Sequence, residues 1–450
     1  MSVLKDATAT SLYGARGANG VIMITTKSGE SGGEGETDIS YNYKEGISAR
    51  AYPEYNQVNS KEFVELQWEA YRNAIYNNPS LDVTLQEANV AAAQGSEELG
   101  IESHIMNNLG SYNPFDVPMD EVIDPSTGKV NPDANLQWGN NWQDEMFRIG
   151  NRSEHNLSLA GKKEGTDYYM SLGYLNEDGI VKNSGFERFT ARLSVDSEIN
   201  EWLKGGFKLS GASADQAILL AEGTYTVNPF YYTRFMGPIY PVYERDENGE
   251  IVRDDQGNKV LDYGAHGDDP DRPRQRPYAA NSNILGQTSL DNRSNKTDNV
   301  GSRFYIEIDF LEDFNFETNF STDYRNVHGI THQNALHGDA ASFNGRTTKY
   351  HSRNISLNLN QLLTYDKSFG DHNINFLAGH EAYKKNYNYL TATRTGFPFG
   401  DLEELATATN MEASNSYRDE YRLESYLSRF KYNYDGRYYF SGSYRTDGSS

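Results

Sequence analysis

The sequence predicts an all-β protein folded as a transmembrane antiparallel β-barrel, and three observations carry this prediction. Tyr and Phe supply 33 and 20 of the 450 residues, and 40 glycines provide turn positions, a composition typical of strands and turns. From residue 152 onward, apolar and polar residues alternate with a period of two, which places the apolar side chains on one face of each strand. Short and long connections between these stretches also alternate, as the periplasmic turns and extracellular loops of outer-membrane barrels do.

Eleven strands are predicted from the alternation. A strand tilted by about 40° needs roughly ten residues to cross an apolar band about 25 Å tall, a length that the longer of these stretches reach. The predicted strands cover residues 38–50, 156–161, 168–174, 189–195, 203–209, 303–310, 314–320, 355–365, 374–383, 421–434 and 438–445.

The connections favour a barrel over a soluble sandwich, whose strands would alternate in the same way. The short ones are 162–166, 200–202, 311–313, 367–371 and 435–436. The long ones are 52–150, 176–186, 214–297, 328–349 and 391–419. The first of these is expected to be mostly irregular, with one helix that has Ser60 as its cap, so that the segment forms a large loop with its own small structure.

Composition excludes several classes of function. A formal net charge of −23 argues against nucleic acid as a partner, because nothing would neutralise phosphates. With no cysteine there is no disulfide framework and no thiolate nucleophile. The sequence has no G-x-S-x-G elbow, P-loop or H-E-x-x-H motif. We therefore expect no enzyme, no catalytic residue and no cofactor, and no run of 18 apolar residues predicts a membrane-spanning helix.

The first 29 residues follow a different pattern from the rest. Ser2 can cap a short helix that ends near Gly14, Gly17 and Gly20 keep the following turn tight, and 21–26 is an apolar strand. A Gly/Glu-rich linker then occupies 30–37.

These residues carry a resemblance to a known family. The string VLKDATATSLYGARGANGVIMITTKSG resembles the end of the plug domain in TonB-dependent outer-membrane transporters of the SusC/RagA type. The strings HNLSLAG, DYYMSLGYLNEDGIVKNSGFERFTARLS and LESYLSRFKYNYDGRYYFSGSYRTDGSS resemble barrel segments of the same family. The resemblance implies that 1–29 is the C-terminal remnant of an α+β plug and that 38–450 is the N-terminal half of the barrel. About 11 of about 22 strands would then be present, with the rest of the plug and barrel outside the chain.

The resemblance also implies a function. Transporters of this family sit in the outer membrane of Gram-negative bacteria, surrounded by its lipid, and import an oligosaccharide or a peptide. A SusD-like surface lipoprotein closes over the extracellular loops as a lid, and TonB with its ExbB–ExbD motor pulls the plug. The sequence does not distinguish the two ligand classes. A secreted β-rich glycan-binding protein without transport activity, or an inactive gene fragment, remain the alternatives.

Three sets of residues are candidates for function. Arg16, Gly17, Asn19 and Gly20 match the plug signature of the family, in which Arg16 would pair with carboxylates of the barrel wall either as a gating contact or as a structural salt bridge. Polar side chains that face the presumed lumen would line a hydrated path, although any barrel around a plug has a polar interior. The candidates for this lining are Arg188, Arg192, Arg303, Glu307 and Glu317.

The third set is an aromatic cluster in the loop 214–297. Such side chains can stack on sugar rings or grip a peptide, or they can form the packing of a folded loop. The cluster comprises Tyr225, Asn228, Phe230, Tyr231, Tyr232, Arg234 and Tyr240. Two acidic segments, 246–250 and 254–258, are predicted to be hairpin turns, and no metal site is predicted there or at the three histidines of the loop 328–349.

Overall fold

A computed structural model describes residues 2–4, 17, 19–24, 35–139, 141–219, 227–265, 274–400 and 402–450. Its main feature is an eleven-stranded sheet in which every strand pairs antiparallel with its neighbour in the chain, and all eleven predicted strands are present. The strands of this sheet are β3 (Thr37–Ser48), β6 (Gly150–Lys163), β7 (Thr166–Asp178), β8 (Gly185–Asn200), β9 (Leu203–Ala217), β10 (Asn292–Phe310), β11 (Phe314–Gln333), β12 (Arg346–Phe369), β13 (His372–Thr395), β14 (Asn410–Tyr434) and β15 (Tyr438–Ser449).

Smaller elements occupy the N-terminus and the long loops. The short strands are β1 (Ser2–Leu4), β2 (Val21–Met23), β4 (Ile123–Asp124) and β5 (Lys129–Val130). The helices are α1 (Ser60–Tyr76), α2 (Leu85–Gln94), α3 (Ile105–Asn108), α4 (Trp142–Met146), α5 (Pro229–Phe235) and α6 (Ile284–Leu290), with short 3-10 turns at Met119–Glu121, Ala341–Phe343 and Leu405–Thr407. None of the helices in the described part of the chain is long and apolar enough to cross a membrane.

The predicted alternation of short and long connections is confirmed. The β6–β7 turn is Glu164–Gly165, and both residues have positive φ, as a two-residue hairpin turn requires. The β14–β15 connection is 435–437, in which Asp435 and Gly436 have positive φ. At the opposite end of the sheet the connections are 49–149, 179–184, 218–291, 334–345 and 396–409. The strands extend further toward this end than predicted; β12 and β13 have 24 residues each. The sequence reading stopped short because the alternation is lost where both faces become polar.

The two faces of the large sheet have opposite character. On one face Phe207, Phe304 and Phe320 lie side by side in register and are 39%, 47% and 44% exposed. The neighbours of Phe207 and Phe304, Lys208 and Arg303, lie opposite each other in register on the other face of the sheet. A soluble sandwich would cover its apolar face with a second layer; here the apolar face is open and the charged face lies inside.

The first and third long connections, 49–149 and 218–291, pack together into one hydrophobic core. The N-cap of helix α1 is Asn59, which forms a capping box with Glu62, so the cap lies one residue before the predicted Ser60. Its buried residues Val64, Trp68 and Ile75 follow the helical repeat. The rest of 52–150 contains more structure than the one predicted helix, namely α2 of ten residues and the shorter α3 and α4. Helices as short as α3 and α4 complete too few turns to leave a period in the sequence.

The N-terminal segment differs from its prediction at its first residues. Ser2–Leu4 pairs antiparallel with Val21–Met23, so Ser2 begins a strand and not a helix; its backbone bonds the neighbouring strand instead. Residues 5–16, which hold the rest of the predicted helix, lie outside the described residues. The turn is confirmed, because the Gly20 N–H donates to the Gly17 carbonyl at 2.9 Å and Gly20 has φ of 100°. Residues 30–34 of the linker are likewise not described, and β3 begins at Thr37.

Candidate functional site

The N-terminal segment lies against the charged inner face of the sheet. Gly17, Gly20, Val21 and Ile22 line one side of a cavity of about 690 Å³. The wall of β12–β15 supplies the other side, with Asn360, Leu362, Leu377, Glu381, Leu427, Arg429 and Arg445. Of the plug signature, Gly17 is buried and Asn19 is exposed. Arg16 lies outside the described residues, so its ion pair with the wall stays a prediction.

The wall of this cavity contains an ionic group that the sequence analysis missed. The Arg445 guanidinium donates to Glu381 Oε2 and Asp447 Oδ1, both at 2.8 Å, and to Ser425 Oγ at 2.9 Å. Glu381, Ser425 and Asp447 are in register on β13, β14 and β15. The signal was available, because an inward-facing Arg two residues from an inward-facing Asp stands out in an alternating strand. Both Arg445 and Glu381 are largely buried, so neither charge would be stable there without the other.

The predicted lumen-lining residues lie in two groups on the inner face. Arg303, Glu307 and Glu317 come together where β10 pairs with β11: Glu307 is opposite Glu317, and Arg303 Nη2 lies 3.8 Å from Glu317 Oε1. Arg188 and Arg192 lie apart from them on β8, nearer the loop end of the sheet.

Two neighbouring contacts extend the first group. Lys208 lies 3.4 Å from Asp196 Oδ2, and the Tyr305 hydroxyl donates to Asp196 Oδ1 at 2.9 Å. Inner-face charges near the turn end are therefore mostly paired with one another.

Some residues of the aromatic cluster in the loop 214–297 are buried in the loop core, and others are exposed at its surface. Tyr232 and Tyr240 are fully buried in the loop core, where the Tyr232 hydroxyl donates to the Ser282 carbonyl at 2.8 Å. Asn228 is the N-cap of α5, and Phe230 packs its ring on Phe147. Burial raises the pKa of the Tyr232 and Tyr240 hydroxyls. Tyr232 and Tyr240 therefore pack inside the loop core, and Phe230 is partly buried against it.

Two members of the cluster remain at the surface. Tyr231 is 49% exposed, and Arg234 donates through Nε and Nη2 to the Glu54 carboxylate at 3.0 and 2.7 Å. Nearby, Tyr243 donates to Glu145 Oε2 at 2.9 Å, and burial together with that carboxylate raises the pKa of Tyr243 to about 12. Tyr225 lies outside the described residues.

The centre of the loop core is a buried charge pair that sequence reasoning did not find. Arg276 is 1% exposed; its guanidinium donates to the Tyr232 hydroxyl at 3.0 Å and to the Ser282 carbonyl at 2.5 Å, and lies 3.8 Å from Asp262 Oδ1. The Tyr112 hydroxyl donates to the same carboxylate at 3.0 Å. No local pattern marks such a pair, because Asp262 and Arg276 lie apart in the connection 218–291 and meet only through packing that includes Tyr112 of the connection 49–149.

The acidic segments form hairpin turns, as predicted. Asp246 Oδ1 accepts from the N–H groups two and four residues on, and Asp254 does the same. The histidines do not converge: His332 bonds Thr347 Oγ1 at 2.7 Å, and His337 stacks on Tyr263. Within the described ranges, no group of three or more His, Asp or Glu side chains could hold a metal ion.

Together these features define a class of protein. A meander of antiparallel strands with an apolar outer face, a charged inner face, short turns at one end and folded loops at the other is the wall of a transmembrane β-barrel. The segment on its inner face is what a barrel with an internal plug contains. The predicted fold class is therefore confirmed.

Comparison with known proteins narrows the class. A TonB-dependent receptor of Formosa agariphila is 28% identical over 458 residues, which are 100% of this chain and 37% of that protein. The TonB-dependent receptor SusC of Bacteroides thetaiotaomicron is 26% identical over 466 residues, 100% of this chain and 38% of its own length. The chain thus spans less than two-fifths of the length of these curated relatives. No protein-family model matches it.

Solved structures agree with the fold. The RagAB peptide transporter superposes with a TM-score of 0.69 at 24% identity, over 99% of this chain and 46% of that chain. The RagAB peptide importer in its closed-closed state gives 0.66 at 25% identity, over 100% and 46%. The predicted resemblance is confirmed: along its whole length the chain is similar to TonB-dependent receptors of the SusC/RagA type.

Proposed function

We propose that this chain is part of a transporter that imports an oligosaccharide or a peptide across the outer membrane by TonB-dependent active transport. One observation carries the proposal: the N-terminal segment lies on the charged inner face of a sheet whose other face is apolar and exposed. An apolar outer face is stable only in lipid, and a polar lumen occupied by a plug needs an energy source to open. Hydrolytic or transfer chemistry has no part in this function.

The components have separate roles in the proposal. The segment up to residue 29 belongs to the gate, and the inner face of β8–β11 lines the path of the nutrient. The core made by connections 49–149 and 218–291 is a folded platform at the loop end, where we place the contact with a SusD-like lipoprotein and with the ligand. Tyr231 and Arg234 are exposed on this platform, and they replace the buried rings of the cluster as ligand candidates.

A crosslink between plug and wall tests the proposal. This chain contains no cysteine of its own, and the pair Ile22→Cys and Leu427→Cys, which line one cavity, introduces two thiols for a short bismaleimide. The probes are a fluorescent dextran-derived oligosaccharide mixture and a fluorescent tryptic digest of casein. We expect energised cells to take up at least one probe, and we expect uptake to stop with a protonophore, without TonB, or after crosslinking of the double variant.

The single-cysteine variants treated with the same reagent are the controls and should import normally. Uptake that continues in the crosslinked double variant, or that ignores the protonophore, would contradict the proposal, as would failure to import either probe. Extraction settles the alternative of a secreted glycan-binding protein. A receptor in the membrane needs detergent and runs as a heat-modifiable band, whereas the alternative is a monomer in plain buffer.

A further inference from the structure

Three arginines on the inner face of the sheet have no ion pair with any residue in the described part of the chain. Arg188 and Arg192 project from β8, and Arg325 projects from β11. All three share the inward direction of Ser210 and Asn299, and together they line one cavity of about 450 Å³. The neighbouring Arg303 and Lys208, in contrast, lie 3.8 and 3.4 Å from the carboxylates of Glu317 and Asp196.

The register explains how the cavity forms. One row across the sheet runs from Arg192 through Ser210 and Gly301 to Asp323. The next row toward the loops runs from Thr190 through Ala212 and Asn299 to Arg325. Strands β9 and β10 therefore present small side chains, while β8 and β11 carry long ones. Because three strand spacings of about 4.8 Å separate β8 from β11, the result is a trough about 14 Å wide, which we call the arginine trough.

The charge of the arginine trough is opposite to that of the chain. Three guanidinium groups face one carboxylate, Asp323, whereas the chain as a whole has a net charge of −23. Like charges held together on a concave wall repel one another and raise the local concentration of anions. Guanidinium also matches carboxylate in shape, since its planar fork donates two parallel hydrogen bonds.

The arginine trough lies on the path between the loops and the N-terminal segment. Ile24 of that segment lines the adjoining cavity, which shares Arg192, Gly301 and Asp323 with the trough. On β8, Arg188 lies nearer the loop end of the strand than Thr190 and Arg192 do. A ligand released from the loops would therefore meet the guanidinium groups before it met the plug.

We propose that the arginine trough binds a carboxylate of the transported nutrient, and that the nutrient is therefore acidic. The proposal rests on the transport function proposed above and adds the ligand class to it. Both an acidic glycan and an acidic peptide supply this chemistry.

Binding to the natural receptor, extracted in detergent and still bearing its plug, tests the proposal. The probes are two matched pairs: trigalacturonic acid with maltotriose, and tri-glutamate with tri-glutamine. We expect the acidic member of one pair to bind at least about tenfold more tightly than its neutral partner, a factor worth about 1.4 kcal/mol. The glycan pair or the peptide pair, whichever responds, identifies the source of the anion. The affinity of the receptor for the acidic probe should fall when NaCl is raised from about 50 to about 500 mM.

The triple variant Arg188→Gln, Arg192→Gln, Arg325→Gln should lose this preference. Lys208→Gln, on the same wall but paired with Asp196, is the matched control and should keep it, and a preserved heat-modifiable band shows that each variant is folded. Equal binding of acidic and neutral probes, binding of none of the four, or an unchanged triple variant would overturn the proposal. Proton-motive-force-dependent uptake of neutral probes would in that case leave the transport function standing.

Discussion

At the scale of single residues, the loop core depends on a charge that has no access to water. Arg276 contacts Asp262, Tyr232 and the Ser282 carbonyl, and every one of these groups lies in the core. Removing one member of such a pair leaves the other charge buried and uncompensated, which costs more than the pair itself contributes.

Arg276→Met should therefore lower the free energy of local unfolding of the loop core by about 3 kcal/mol or more. Hydrogen exchange of the segment 274–291 in detergent would measure it, with the strands of the sheet as an internal reference. Arg253→Met is the control, because Arg253 is exposed and bonds only its own hairpin. The double variant Arg276→Met with Asp262→Leu should lose less than the single one; an equal or larger loss would show that the charge pair is not the cause.

His332 should make the neighbouring loop sensitive to acid. It is 2% exposed, and burial lowers its pKa from the ordinary value of 6.5 although Glu403 and Asp291 oppose the shift. A base whose folded-state pKa is lowered contributes full stability above about pH 6.5 and loses it as the pH falls toward the lowered value, because the unfolded state takes up the proton first.

We expect proteolysis of the connection 334–345 to accelerate between about pH 7.5 and pH 5, after correction for the protease's own pH dependence. His332→Gln should reduce this acceleration, while the exposed His328→Gln should leave it unchanged; the remainder is expected from His337 in the same connection, whose pKa burial also lowers. An acceleration unchanged in His332→Gln would show that His332 has no part in it.

At the scale of elements, the pairing of β9 with β10 relies on a glycine beneath an aromatic ring. A Cβ at Gly206 would collide with the Tyr305 ring and lie 2.7 Å from Asp196 Oδ1, the acceptor of the Tyr305 hydroxyl. Gly211, five residues along the same strand, would meet nothing closer than 4.0 Å.

Gly206→Ala should displace Tyr305 and cost about 1–3 kcal/mol through overpacking, whereas Gly211→Ala should be close to neutral. The urea midpoint of each variant, followed by loss of the heat-modifiable band, gives the comparison. Similar midpoints for the two variants would mean that the ring moves aside at no cost.

The elements also show what sequence reasoning reaches. All eleven strands and the alternation of their connections were predictable, because a period of two survives in a strand such as β10 whatever surrounds it. The loop core was not, since its elements are short and its central pair, Asp262 and Arg276, joins through tertiary packing alone. The residues of the aromatic cluster could be picked out from the sequence. Which of them are buried could not, because Tyr232 is buried and the adjacent Tyr231 is exposed.

At the scale of the whole molecule, the decisive property is that the two faces of one sheet meet different solvents. Leu157 lies on the outer face between Tyr41 and Leu172 and is 43% exposed. Ser158, the next residue, lies on the inner face between Ser40 and Ser171. The same substitution at these adjacent positions therefore compares lipid with a hydrated lumen in one strand.

Leu157→Arg should destabilise the protein in lipid vesicles by about 2–4 kcal/mol, because a guanidinium in the apolar band loses its hydration, and Ser158→Arg should cost about 1 kcal/mol or less. Guanidinium unfolding followed by tryptophan fluorescence, for which the chain has four Trp, measures both. A larger destabilisation by Ser158→Arg than by Leu157→Arg would mean that the apolar face lies inside and that the sheet does not face lipid. A larger destabilisation by Leu157→Arg would show that one face meets lipid and the other meets water. Because successive residues of a strand point to opposite faces, a strand with an apolar outer face then has a hydrated inner face.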